Sequence, residues 1–314
     1  MATMKAIRIH AYGGAENLKY DEVPRPEPQA GQVLIQVYAA GVNPIDWKIR
    51  EGFFQQISDY SLPVIAGADV AGVVASVGDG VTTLQPGQAV YGTADMALSG
   101  AYAEYAVGYA DAIAQKPKTL DYIHAASVPI VAITAWQALF DGANLQPDQS
   151  VLIHGGAGGV GRYAIQLAKW KRARVIATAS AANLDDLRNL GADQAIDYAS
   201  QPFEQQVKDV DVVLDLVGGE TQARSWQIIR PGGVLVSTLG VPESGIPQGI
   251  EAVPVFANLR ANSQLQQIAQ LIDDGQIKAS IEQVFELAEA AKAQEVSQHG
   301  HPRGKLVLQV VHPA

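Results

Sequence analysis

The chain has 314 residues, 48% of them hydrophobic and 17% charged, and a formal net charge of −10. That length allows more than one domain, and an acid excess without any basic run argues against a nucleic-acid partner. There is no cysteine, which excludes disulfides, thiolate metal sites and a thiol nucleophile. The start, MATMKAIRIHAYG, lacks the apolar core of a signal peptide, and no apolar run is long enough to span a bilayer. A cytoplasmic protein with no membrane partner is expected.

Residues 1–120 read as β-rich. MKAIRIH, QVLIQVYAAGV, GVVASVG and QAVYG are short strand-like segments separated by Pro- and Gly-containing turns. PRPEPQAG at 24–31 cannot be helical. From residue 121 the pattern changes, and HAASVPIVAITAWQALF reads as helix around Pro129. Strands then alternate with helices: VLIHGG, RVIATAS, NLDDLRNLG, QAIDY, DVVLDLVGG, GGVLVSTLG and AVPVFAN. Nearly continuous apolar strands in βα alternation imply a parallel sheet covered on both faces. ANSQLQQIAQLIDDGQ predicts a helix stopped by Gly275, and ELAEAAKAQEV another. The closing strand GKLVLQVV does not continue the βα pattern and is expected to return to the N-terminal β-rich domain.

The most informative stretch is VLIHGGAGGVGRYAIQLAKW at 151–170. An apolar strand runs into a glycine turn and then into apolar residues at helical spacing, the context that the GxGxxG fingerprint requires. Gly156 is assigned the tight turn. Gly158 is assigned close approach to a pyrophosphate, and Gly161 the packing of helix on strand. With Ala157, Gly159 and Val160 they form a dinucleotide site at a helix N-terminus. Val217-Gly218 and Leu239-Gly240 close two further strands at their carboxyl ends, where cofactors bind in open α/β sheets. His154, before the turn, reads as a strand-end histidine.

Seven segments carry a resemblance in the right order over nearly the whole chain. They are GVNPIDWKIR (41–50), GADVAGVVASVG (67–78), PGQAVYG (86–92), ITAWQAL (133–139), the glycine loop, LGADQAIDY (190–198) and RGKLVL (303–308). The chain resembles the medium-chain dehydrogenase/reductase superfamily, and within it the zinc-free quinone oxidoreductase and enone reductase branch that includes zeta-crystallin-like proteins. Gln88 departs from the Asp usual after the PG pair and is read as a turn residue. The resemblance implies an α/β protein: a GroES-like β-rich catalytic domain (1–120, completed by 276–314) and a Rossmann, doubly wound parallel-sheet domain (121–275).

Zinc members of this superfamily resemble G-x-C-H-x-D and G-H-E at the first two segments. Here Asn43 stands at the thiolate position and Ala68 at the imidazole position. An amide and a methyl group do not make a catalytic zinc site, so no metal is expected. His299 and His301, in a polar loop without a visible partner, do not suggest one either. Without a Lewis acid, alcohol oxidation is disfavoured. An electron-poor C=C bond or a quinone needs only hydrogen-bond donors for its developing anion.

The resemblance places Asn43 and Lys48 beside the nicotinamide as catalytic and cofactor-contacting residues. Lys48 would donate to the substrate oxygen, and Thr134 would meet the cofactor. Arg303 and Lys305 would reach it from the returning strand. Asp46 reads as orienting its loop and Asp69 as structural. Lys48, Tyr60 or water would serve as proton donor. The coenzyme is expected to be NADPH, because Ser180 rather than an acid ends the second strand of the nucleotide domain. No Lys or Arg lies between Val175 and Leu187, so Ser180, backbone amides, Tyr198 and Arg188 are left to hold the 2′-phosphate. The expected function is reduction of a small electrophilic carbonyl or quinone. A non-catalytic NADPH-binding protein of structural or regulatory role is the alternative. AVPVFAN, read as a sheet edge, is expected to pair across a two-fold axis into a homodimer.

Overall fold

The structure is a computed structural model describing residues 2–56, 60–300 and 302–311. The chain forms two units, Met1–Ile130 with Leu259–Ala314, and Val131–Asn258. No helix among the described residues is long and apolar enough to cross a membrane.

The first unit opens with strands β1 (Thr3–Ile9), β2 (Leu18–Pro24) and β3 (Gln32–Val42). Helix α1 (Pro44–Glu51) follows, then β4 (Val64–Ile65), β5 (Asp69–Val77), β6 (Ala89–Thr93), β7 (Tyr105–Tyr109) and β8 (Ile113–Gln115). Helix α2 (Tyr122–Ala126) comes next, and α3 (Pro129–Trp136) carries the chain into the second unit, with Pro129 in its opening turn, where its missing N–H costs nothing. A π-helical turn, Gln137–Gly142, extends α3.

The second unit runs β9 (Ser150–Ile153), α4 (Gly159–Trp170), β10 (Arg174–Ala179), α5 (Leu184–Asn189), β11 (Gln194–Asp197), β12 (Val210–Asp215), α6 (Gly219–Ser225), β13 (Ile229–Ser237) and β14 (Glu251–Pro254). The chain then returns to the first unit as α7 (Asn262–Asp273), β15 (Ile281–Glu286), α8 (Ala290–His299) and β16 (Lys305–Gln309).

In the first unit, β2-β1-β4 form one sheet and β15-β16-β3-β5-β6-β8 another, with β7 also on β3. The returning strand pairs antiparallel with β3, Leu306 opposite Val42. Ile35, Val37, Val70, Leu306 and Leu308 meet in the core between these elements. In the second unit the order is β11-β10-β9-β12-β13-β14 with every pairing parallel. Val151, Leu152 and Ile153 are fully buried. Strand order reverses on either side of β9, so the crevice at its carboxyl end is the topological switch point.

The unit boundaries differ from those expected. Residues 121–130 and helix α7 belong to the β-rich unit, where the Ile130 amide donates to Asp69 Oδ1 at 2.9 Å and two polar contacts hold α7. The Tyr91 hydroxyl donates to the Leu265 carbonyl at 2.6 Å. The Asp273 carboxylate accepts from the amides of Lys118 and Thr119 at 3.1 and 2.9 Å. Strand β15 has no counterpart among the expected elements.

Candidate functional site

The glycine turn leaves β9 at the switch point. Gly155, with φ of +72°, makes the tight turn. This corrects the assignment of that role to Gly156, whose place is one of packing: a Cβ there would stand 3.1 Å from Ala177 Cβ and 3.2 Å from Leu187 Cδ2. Gly161 is required by the protein itself, since a Cβ would fall 2.3 Å from the Gly155 oxygen. Gly158 is different. It has an ordinary φ of −74°, and a Cβ would meet only the Gly155 oxygen, at 3.5 Å. Neither backbone nor packing demands glycine there. The open face beside it suits a ligand approaching the first amides of α4, and the residues present therefore fit a dinucleotide pyrophosphate.

Beneath the turn lies His154. Its Nε2 is 3.0 Å from Ser225 Oγ and its Nδ1 is 3.1 Å from Thr178 Oγ1. The Ser225 hydroxyl already donates to the Thr221 carbonyl at 2.6 Å. His154 must therefore donate from Nε2, and in the neutral imidazole Nδ1 accepts from the Thr178 hydroxyl. Burial pushes its pKa down to about 4, which agrees. His154 joins two strands and a helix and is not placed for proton transfer.

Two residues absent from the sequence-based set shape the carboxyl ends of β12 and β13. Asp215 Oδ1 accepts from the amides of Val217 and Gly218 at 3.0 and 2.8 Å. Its Oδ2 accepts from Gln222 Nε2 and the Ser237 hydroxyl, both at 2.9 Å. Ser237 in turn accepts from the Leu239 amide. Val217 and Leu239 are left exposed by this scaffold. An acid closing the apolar run DVVLD was the available signal, but its partner comes from a neighbouring strand.

Ser180 follows β10 directly. The Tyr198 amide donates to the Ala179 carbonyl at 3.2 Å, which brings the exposed Tyr198 beside Ser180. Arg188 is tied to Asp185 at 2.6 Å on the surface. Thr134 is buried in α3.

The first unit contains a buried ionic cluster. Lys305, 3% exposed, donates from Nζ to the Val42 carbonyl, Asn43 Oδ1 and Asp69 Oδ2. Asn43 Nδ2 donates to the same Asp69 oxygen at 2.9 Å, while Asp69 Oδ1 accepts from the Ile130 amide. An ammonium has three N–H donors, and all three are taken inside the protein. Lys305, expected to reach the cofactor, is thus engaged by the protein itself. Asn43, 1% exposed, likewise has an internal partner at each end of its amide. It lies within this network, in the segment expected beside the nicotinamide.

Asp46 stands in the first turn of α1, where its Oδ2 accepts from the Asn43 amide and the Tyr102 hydroxyl, each at 2.8 Å. Burial pushes its pKa up to about 7 against those two hydrogen bonds, and the Tyr102 phenol is also raised by burial. Lys48 lies on the same helix, partly exposed. Its ammonium stands 5.6 Å from the Trp47 ring centre and makes no ion pair among the described residues. Tyr60 packs partly buried against the core of this unit. Arg303 is exposed. His299 ends α8 rather than lying in a loop, and His301 lies outside the described residues.

These residues do not fit a zinc ion. Ala68 offers no donor, and Asn43 Oδ1 is occupied by an ammonium. No group of three or more His, Asp or Glu among the described residues is arranged to hold a metal.

Comparison with known proteins agrees with this architecture. Residues 29–118 match the family described as Alcohol dehydrogenase GroES-like domain, and residues 190–308 the family described as Zinc-binding dehydrogenase. The chain is 36% identical to 2-methylene-furan-3-one reductase of Solanum lycopersicum, over 99% of this chain and 79% of that protein. It is 32% identical to quinone oxidoreductase of Mus musculus, over 97% of both. Among solved structures, the quinone oxidoreductase of Coxiella burnetii superposes with a TM-score of 0.90 at 36% identity, over 99% of this chain and 100% of that one. NADPH-dependent alkenal/one oxidoreductase of Arabidopsis thaliana is 36% identical over 97% of this chain and 79% of its own length. With both halves and the full length matched, the chain belongs to the medium-chain dehydrogenase/reductase superfamily of nicotinamide-dependent oxidoreductases.

Proposed function

We propose that this protein is a zinc-independent, NADPH-dependent reductase of quinones or α,β-unsaturated carbonyls, enones and enals. The observation that carries the reading is the Lys305 ammonium seated against Asn43 and Asp69, in the segments where zinc-dependent relatives carry metal ligands. A site without a Lewis acid favours acceptors that are already electron-poor. The names of the reductases and quinone oxidoreductases that this chain resembles support the same acceptor class.

When bound, the nicotinamide supplies a hydride. The chain supplies everything else. The first-turn amides of α4 hold the pyrophosphate, with Gly158 giving it room. Val217-Gly218, Leu239-Gly240 and Thr134 complete the cofactor contacts of the second unit, and Ser180 and Tyr198 those of the adenosine end. Lys48 donates a hydrogen bond to the substrate oxygen as negative charge gathers there. Asn43 acts as a positioning residue, fixing the start of the helix that carries Lys48. The working form is a cytoplasmic homodimer joined through β14.

Substitution of Lys48 by Ala tests the catalytic assignment. An interaction that strengthens as charge develops acts on the transition state more than on binding. Single-turnover hydride transfer to a quinone is expected to slow by roughly 10- to 1000-fold, the scale of a lost oxyanion donor. The cofactor dissociation constant should change far less. Unchanged hydride transfer would remove Lys48 from the chemistry. If the wild-type protein binds NADPH yet turns over no quinone or enone, the protein is a binding protein rather than an enzyme.

A further inference from the structure

We propose that Arg162 reads the 2′-phosphate of NADPH, with Asp186 as its counter-ion when no phosphate is present. The assignment rests on the NADPH reading above and names the residue that gives the site its preference. Along the sequence no Lys or Arg lies between Val175 and Leu187, so the strand tip at Ser180 looks devoid of cationic help. The fold supplies it from another element. Arg162 follows Gly161 in the opening turns of α4, and its guanidinium reaches Asp186 at the start of α5, six residues beyond Ser180. Both Nη atoms meet the two carboxylate oxygens of Asp186, Nη2 to Oδ1 at 3.3 Å.

Two features distinguish this pair from a plain structural ion pair. The arginine side chain is 9% exposed, whereas its acid is 40% exposed, so the cation is held in the protein and the anion faces water. The Arg162 Nε is buried with no partner among the described residues, so Asp186 does not saturate the guanidinium. The Asn183 Nδ2 is bonded to Ser180 Oγ at 3.0 Å. A guanidinium matches a phosphate dianion bidentately and binds it more strongly than it binds a half-hydrated carboxylate. Exchange of partners would return Asp186 to solvent at little cost. Arg188 is a weaker candidate, because it is half exposed and its Asp185 partner is almost fully so.

The opposite arrangement is the competing outcome. There Arg162 merely steadies Asp186, and Asp186 takes the ribose hydroxyls of NADH. Calorimetric binding of 2′,5′-ADP and 5′-AMP to the full-length protein separates the two, since these probes differ only in the 2′-phosphate. Wild type should prefer 2′,5′-ADP by at least about tenfold. R162A should lose most of that preference while its 5′-AMP affinity stays within about twofold. D186N should bind 2′,5′-ADP as tightly as wild type or more so. R162K keeps the charge without the fork and should retain part of the preference, and it carries the test if R162A does not fold. An R162A or R162K protein with the wild-type ratio overturns the assignment while leaving NADPH as coenzyme. A D186N protein that loses 5′-AMP binding establishes the competing arrangement. A wild-type protein indifferent to the 2′-phosphate overturns the NADPH reading itself.

Discussion

The buried Lys305 sets the largest single-residue consequence in the first unit. Its removal as Lys305→Met would leave the Asp69 carboxylate buried beside Asn43 without a compensating charge. Breaking one side of a buried pair costs about 3–5 kcal/mol, to be read from urea denaturation. Combining it with Asp69→Asn should restore part of the loss. No such recovery would mean that packing rather than charge holds the strand. Two buried titrating groups give stability opposite dependences on pH. His154 is depressed to about 4 from 6.5, so its contribution is complete above 6.5 and disappears as pH falls toward 4. Asp46 is raised to about 7 from 3.8, so its contribution is complete below 3.8 and disappears as pH rises through 7. Asp46→Asn should therefore gain stability relative to wild type as pH rises from 4 to 7, by at most about 1.4 kcal/mol per pH unit. A difference that stays constant with pH would show that Asp46 titrates normally.

The glycine turn separates two uses of the same residue type. Gly161→Ala places a methyl 2.3 Å from the Gly155 oxygen and should destabilise by about 1–3 kcal/mol, the scale of overpacking. Gly158→Ala meets no such contact, so its melting temperature should stay near wild type while dinucleotide affinity falls. Equal loss of stability in both variants would deny Gly158 a ligand role. The elements around this turn were legible because their patterns are local: an apolar run, glycines, then helical spacing. The return of β16 to the first domain was legible for a similar reason, since GKLVLQVV broke the βα alternation. Strand β15 was not, because IEQVFE is mostly exposed and shows no apolar alternation. The site chemistry was the least legible. Asn43, Asp69 and Lys305 were each singled out, but their mutual contacts join positions 236 and 262 residues apart. Only strand register brings them together. Asp215 and Ser237, whose roles depend on the β12–β13 pairing, were missed for the same reason.

At the scale of the whole molecule, β14 forms one end of the parallel sheet, and Phe256 just beyond it is 82% exposed. An unpaired apolar edge favours self-association. Light scattering at micromolar concentration should give the mass of a dimer, and Phe256→Glu should shift it toward the monomer. A monomeric wild type would exclude this edge as an interface. The proposed hydride transfer needs no metal and has an electron-poor acceptor. It is tested most directly by following NADPH oxidation with a quinone, an enone and a simple aldehyde before and after exhaustive chelation. Turnover with the quinone or the enone, little with the aldehyde, and no change on chelation are expected. Loss of activity on chelation that zinc restores, or turnover of the aldehyde alone, would contradict the proposal.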